Sequence, residues 1–149
     1  MGQLKVAVCV VGFAFAGLLC AGMSLADEAL VSPSPEGAAL YFISPEDGAV
    51  VGTTFTVKFG LAGMGVAPAG VDAPNTGHHH LLIDHEGETA ADQPLPATDA
   101  VRHFGGGQTE TEVTLAPGSH RLQLVLGNYL HIPHDPPVTS AEITITVAE

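Results

Sequence analysis

Glycine and proline punctuate this chain so closely that, after the opening residues, hydrophobic runs never last long enough for a helix. With 18 Gly and 11 Pro in 149 residues, the segments between breakers are short and many of them alternate. Thr54–Leu61 sets Phe55, Val57, Phe59 and Leu61 on one face and Thr56, Lys58 and Gly60 on the other, which is the period of a half-buried strand. Thr111, Val113 and Leu115 alternate in the same way, as do His120, Leu122, Leu124 and Leu126 against Arg121, Gln123 and Val125. Adding 40–43, 50–51, 78–84 and 141–148 gives about seven short strands separated by turns such as Ser44-Pro45-Glu46-Asp47-Gly48 and Pro117-Gly118. The pattern predicts an all-β fold, an antiparallel immunoglobulin-like β-sandwich over 39–149, with a small barrel as the alternative.

The opening residues follow other rules. Met1–Lys5 carries one positive charge, Val6–Leu19 is an almost unbroken apolar run, and Ser24-Leu25-Ala26 offers small residues before Asp27-Glu28. This is the pattern of a cleaved secretory signal peptide over 1–26, and the run is short for a membrane span. A lipid anchor on Cys20 would need a small residue before it, where Leu19 stands. Residues 27–38 read as a flexible, Pro-containing lead-in. The expected product is periplasmic or secreted, with no stable membrane span after cleavage.

Cleavage would remove Cys9 and Cys20, the only cysteines, together with Lys5. Lys58, Arg102 and Arg121 are then the only Lys or Arg facing 16 Asp and Glu. Such an acidic chain lacks the basic footprint of a nucleic-acid partner and favours cations. Without a disulfide or thiolate, the domain has to be held by its apolar core.

All 8 histidines fall between His78 and His134. In an immunoglobulin-like topology the strands 78–84, 119–127 and 141–148 share one sheet, and the loops before 78 and after 127 lie at the same end. His78, His79, His80, His131 and His134 are therefore expected to converge, with His85 and His120 at the opposite end. His103 lies in the irregular segment 86–108 and has no predicted place beyond solvent. Along the strand, His79 shares the parity of Leu81 and Ile83 and should point inward, and His78 and His80 should point outward on one face. Two outward imidazoles joined by His131 and His134 make a candidate site for copper or zinc. Met64 is a possible thioether donor, although core packing is the commoner role. Asp84 and Asp135 are candidate acceptors for the ring N–H groups. Histidines at strand ends are also commonly solvated or bonded within a core, and His120 fits a corner residue that bonds back to the chain.

Nothing marks an enzyme. There is no Gly-x-Ser-x-Gly and no Cys in the expected exported part, Gly105-Gly106-Gly107 has no following Lys-Ser/Thr, and Ser119 and His120 face opposite ways on a strand. A likeness to copper–zinc dismutase sandwiches stops at the His-x-His pair.

The stretches 63–70 (Gly-Met-Gly-Val-Ala-Pro-Ala-Gly), 75–84 (Asn-Thr-Gly-His-His-His-Leu-Leu-Ile-Asp), 103–110 (His-Phe-Gly-Gly-Gly-Gln-Thr-Glu), 115–120 (Leu-Ala-Pro-Gly-Ser-His) and 131–138 (His-Ile-Pro-His-Asp-Pro-Pro-Val) together resemble a bacterial family of exported single domains of unknown function. The resemblance covers roughly 40–148. It implies a small exported β domain in which these histidines belong to the pattern, and it supplies no activity. Two functions follow as expectations: a metal-binding domain using His78, His80, His131 and His134, or a non-metal envelope domain recognising a sugar, peptide or protein partner with the same loops.

Overall fold

The computed structural model describes residues 30–149, so the expected leader at 1–26 lies outside the described residues. Among the described residues there are nine short strands: β1 Ala39–Ser44, β2 Val50–Val51, β3 Thr54–Ala62, β4 Gly65–Val66, β5 Thr76–Ile83, β6 Val101–His103, β7 Glu110–Thr114, β8 Gly118–Gly127 and β9 Ile143–Val147. Among the described residues no helix is long and apolar enough to cross a membrane.

One sheet has the order β1-β3-β7 and the other β2-β9-β8-β5-β4, with β6 added to β5. The sheets are open and mostly antiparallel. The first, second and fifth strands of the immunoglobulin plan share a sheet, and the third, sixth and seventh share the other. The fold is thus the expected immunoglobulin-like sandwich. The alternation explains the layers. Leu40, Val57, Phe59 and Val113 from one sheet meet Leu81, Ile83, Leu122, Leu124, Leu126, Ile143, Ile145 and Val147 from the other in a single buried core. Each fully buried Leu or Ile contributes about 1.5–3 kcal/mol against exposure.

Strand β5 departs from simple alternation, because every residue from Gly77 to Ile83 is buried. Its odd face, His79, Leu81 and Ile83, enters the core between the sheets. Its even face, His78, His80 and Leu82, points outward as expected, yet it too is covered. Leu82 and Val125 pack with Leu95 and Val101 in a second buried cluster, so part of the segment between β5 and β7 forms a third layer over the sheet. A strand covered on both faces reads as a continuous apolar run, and Leu81-Leu82-Ile83 is one.

Two findings differ from the sequence reading. The segment 86–108 is not wholly irregular: Val101–His103 pairs antiparallel with β5, His103 opposite His80 and Val101 opposite Leu82. The lead-in enters the described residues at Leu30 and is tied to the loop after β8. Asn128 Nδ2 donates to the Leu30 carbonyl (2.8 Å) and to Ser32 Oγ (3.0 Å), and the amides of Ser34 and Asp135 bond to the carbonyls of Asp135 and Ser32.

At the far end of the sandwich His120 is the expected corner residue. Its Nδ1 lies 2.6 Å from Asp84 Oδ2 and its Nε2 2.9 Å from the Ala116 carbonyl. Both partners accept, so both contacts are satisfied only by the imidazolium. The Asp84 hydrogen bond, with the Ala116 bond, raises His120 above its ordinary 6.5. Burial pushes the Asp84 carboxyl up, but the donated Arg121 N–H and His120 outweigh it and leave Asp84 below its ordinary 3.8. A raised histidine stabilises fully below 6.5 and loses its contribution as pH rises through its folded value. A lowered carboxylate stabilises above 3.8 and loses its contribution as pH falls through its folded value. His120→Ala is therefore expected to cost most between about pH 4 and 6.5, on the order of 0.5–1 kcal/mol for so open a pair. The cost should shrink on the alkaline side. Urea unfolding of both proteins across pH checks it, and a difference that grows above pH 7 would contradict the assignment.

Candidate metal centre

Four imidazoles meet on the outer face of β5. His78 and His80 are two residues apart on that strand, so their rings share a face, with centroids 4.7 Å apart. Strand β6 brings His103 directly beside them, 5.0 Å from His78 and 5.2 Å from His80. The loop after β8 brings His131, 4.9 Å from His78, 4.6 Å from His103 and 6.0 Å from His80. The Nε2 atoms of His103 and His131 are 3.1 Å apart. Donor nitrogens of His78, His80 and His103 all lie within 4.8 Å of one another.

The backbone is shaped for these rings. His131 sits at φ 70°, in the left-handed region that a branched or ringed side chain seldom occupies. It is held there because its carbonyl accepts from the Leu95 amide (2.9 Å) and its own amide donates to the Asn128 carbonyl (2.9 Å). Asn128 Oδ1 in turn accepts from the amides of Leu130 (2.9 Å) and Ile132 (3.0 Å). Gly127 leaves the space that His80 fills: a Cβ there would stand 2.7 Å from His80 Cε1. Gly105 does the same for His103, with a Cβ falling 2.6 Å from Nε2.

The cluster is buried at its base and open at its mouth. His78 and His80 are 0% and 1% exposed, His131 is half-buried, and His103 is exposed. Among the described residues no ring nitrogen of His78 or His80, nor of the core-facing His79, has a hydrogen-bond partner. Burial first, then the imidazoles of His131 and His103, lowers His78 to about 4. Burial first, then His78 and His103, lowers His80 to about 3. Burial and His131 also lower His103. At neutral pH the two buried rings are therefore uncharged and their lone pairs are available, the state that binds a metal ion.

Of the four predicted ligands, His78, His80 and His131 come together and His134 does not. His134 is buried with Nε2 3.2 Å from the Thr76 carbonyl and Nδ1 3.4 Å from that of Leu126, where it ties the loop to the strand ends. The place expected for it is taken by His103, which sequence reasoning put in solvent. The three-residue strand that carries it is too short to announce itself by periodicity. His79 points inward as expected, its ring 5.1 Å from that of Phe59. Asp84 does not serve the cluster, being engaged by His120 at the other end. Asp135 does not either: its side chain is exposed and its main chain pairs with the lead-in. Met64 packs against the main core, and His85, partly exposed, remains at the far end.

The donor set is thus all imidazole, which suits Zn, Cu, Ni or Fe rather than Mg or Ca. A metal ion fits what the structure leaves unmet, since it would take one orphaned nitrogen from each buried ring. The family described as Domain of unknown function (DUF4399) matches residues 57–148, a span that contains all four rings. No curated protein matches. Among solved structures, the chain is similar to the fibronectin(III)-like modules of Clostridium thermocellum CbhA at 12% identity, over 72% of this chain and 94% of that one, with a TM-score of 0.37.

Proposed function

The chain belongs to the DUF4399 family, and from the geometry of its histidines we propose that it is an exported metal-binding domain, holding one transition-metal ion through His78, His80, His103 and His131. The observation that carries this is the pair of fully buried, uncharged imidazoles whose four ring nitrogens lack partners, facing two more imidazoles at the solvent edge. Buried polar atoms are nearly always paired. His79 is orphaned too but stands apart from the other imidazoles in the core; on the outer face two such rings converge with two more imidazoles over a backbone relieved of side chains at Gly105 and Gly127, and that convergence supports a site.

Between zinc and copper(II), the separations favour zinc. Bonds of about 2.0–2.1 Å to four imidazoles in a tetrahedron put ring centroids roughly 5 Å apart. The six centroid distances run from 4.6 to 6.0 Å. Square-planar copper(II) needs two opposed pairs at roughly 6 Å or more. Only His80–His131 reaches 6.0 Å, and the pair that would oppose it, His78–His103, is at 5.0 Å. The acidic surface adds a general attraction for cations.

Calorimetric titration with Zn(II) and with Cu(II), each alone, tests the reading. The expected result is one-to-one binding, tighter than that of any single-imidazole site, abolished in His80→Ala and retained in His134→Ala. Absence of binding by the native protein to either ion would overturn it and return these loops to recognition of a non-metal partner.

A further inference from the structure

On the premise that the cluster binds metal, we infer that it is a transfer site: His78, His80 and His103 hold the ion, and His131 is a releasable fourth ligand that an incoming donor displaces. Four observations carry this. The donor atoms of His78, His80 and His103 form a compact group that does not include His131. His131 stands 6.0 Å from His80, against 5.2 Å for His103. Among the described residues its ring has one polar contact, the Nε2 of His103 at 3.1 Å, and its other nitrogen meets no carboxylate or carbonyl. Its backbone, by contrast, is pinned in the left-handed region by Leu95 and Asn128, so release is a swing of the side chain alone and needs no opening of the loop.

The chemistry agrees with the placement. Structural zinc sites are closed by four fixed ligands, and sites that work keep a position for an incoming group. A three-imidazole base, a mobile fourth ring and a solvent-facing mouth allow an acceptor's Lewis-base donor to enter before the ion leaves. The protein then hands the ion on by associative exchange instead of releasing it to water.

The test uses the purified protein loaded with one equivalent of whichever of Zn(II) or Cu(II) the titration shows to bind, and a chromogenic chelator in excess. The variants are His131→Asn, since Asn tolerates left-handed backbone, and His103→Ala, with His80→Ala as the benchmark. The transfer rate of the native protein is expected to rise in proportion to chelator concentration. His131→Asn should still bind one ion, within about tenfold of native affinity, and exchange it about tenfold faster, with a water oxygen replacing one nitrogen in the X-ray absorption spectrum. His103→Ala should lose about a hundredfold in affinity or more. A rate independent of chelator concentration, or a His131→Asn variant as defective as His80→Ala, overturns the inference and makes the site a closed four-histidine centre. Failure of the native protein to bind at all is a different result, already read in the titration.

Discussion

Changing His80 to Leu is expected to make the metal-free protein more stable at pH 7 and to erase its response to metal. The side chain is 1% exposed and neither ring nitrogen finds a partner. A neutral imidazole still carries an N–H, and burying it unpaired costs about 1–3 kcal/mol. Leucine occupies a similar volume, has no polar atom to strand, and would lie on the face where Leu82, Val125, Leu95 and Val101 already form an apolar layer. The same substitution should also flatten the acid limb of the stability curve. A histidine held below 6.5 by burial stabilises fully above that value, and its contribution is lost as pH falls through 6.5 toward its folded value. With His78 held at about 4 and His80 at about 3, unfolding from pH 7 to 4 becomes easier by several kcal/mol in the native protein. Removal of one ring should remove roughly half of that loss. At a free metal concentration of 100 times Kd the native protein regains about 2.7 kcal/mol and the variant none. Urea unfolding at pH 7, 5.5 and 4, with and without the ion, reads all three effects. A His80→Leu protein less stable than native at pH 7 would mean that the ring is a structural asset and not the stored cost of a binding site.

This trade of stability for function bears on how far the sequence could be read. The sandwich was legible because β3, β8 and β9 alternate cleanly, so each strand declares one buried face and the turns between them leave few topologies. His78 and His80 were legible for the same reason: their shared parity on β5 needs no knowledge of the rest of the fold. The third layer was harder. Leu81-Leu82-Ile83 buries both faces of the strand, and its only signs were Leu82 on the face of His80 and Val125 on the otherwise polar face of β8. His103 was illegible because Val101–His103 is three residues long, too short to show a period, and its pairing with β5 crosses a long connection. His131 and His134 sit three apart in a proline-rich loop where no repeat sets side-chain direction. What separates them is the left-handed backbone at His131 and the carbonyls of Thr76 and Leu126 waiting for His134, both of them products of the tertiary structure.

Gly127→Ala should destabilise the protein and disarm the metal centre together. Gly127 ends β8 opposite His78 in the ladder, on the outer face, and its missing side chain is the space that His80 uses. An added Cβ would stand 2.7 Å from His80 Cε1, 3.1 Å from its Nδ1 and 3.3 Å from the main-chain carbonyl carbon of His131. The ring cannot simply turn away, because His78 and His103 box it in at 4.7 and 5.2 Å. Nor can the loop retreat while Leu95 and Asn128 hold the backbone of His131. Overpacking of this kind costs about 1–3 kcal/mol, and here the strain falls on two ligands at once, so metal affinity should drop by about a hundredfold or more. Gly105→Ala makes the contrast. Its Cβ would fall 2.6 Å from His103 Nε2, but the clash is with an exposed ring and not a buried one, so metal affinity should fall as in His103→Ala with stability near native. Gly52→Ala, where the nearest atom is the Thr54 carbonyl oxygen at 3.9 Å, should change stability by no more than about 0.5 kcal/mol and leave binding intact. Unfolding and metal titration of the three variants separate the cases. A folded Gly127→Ala protein that binds metal as tightly as native would show that His80 does not need the place the glycine keeps open for it, and the assignment of His80 as a ligand would fall with it.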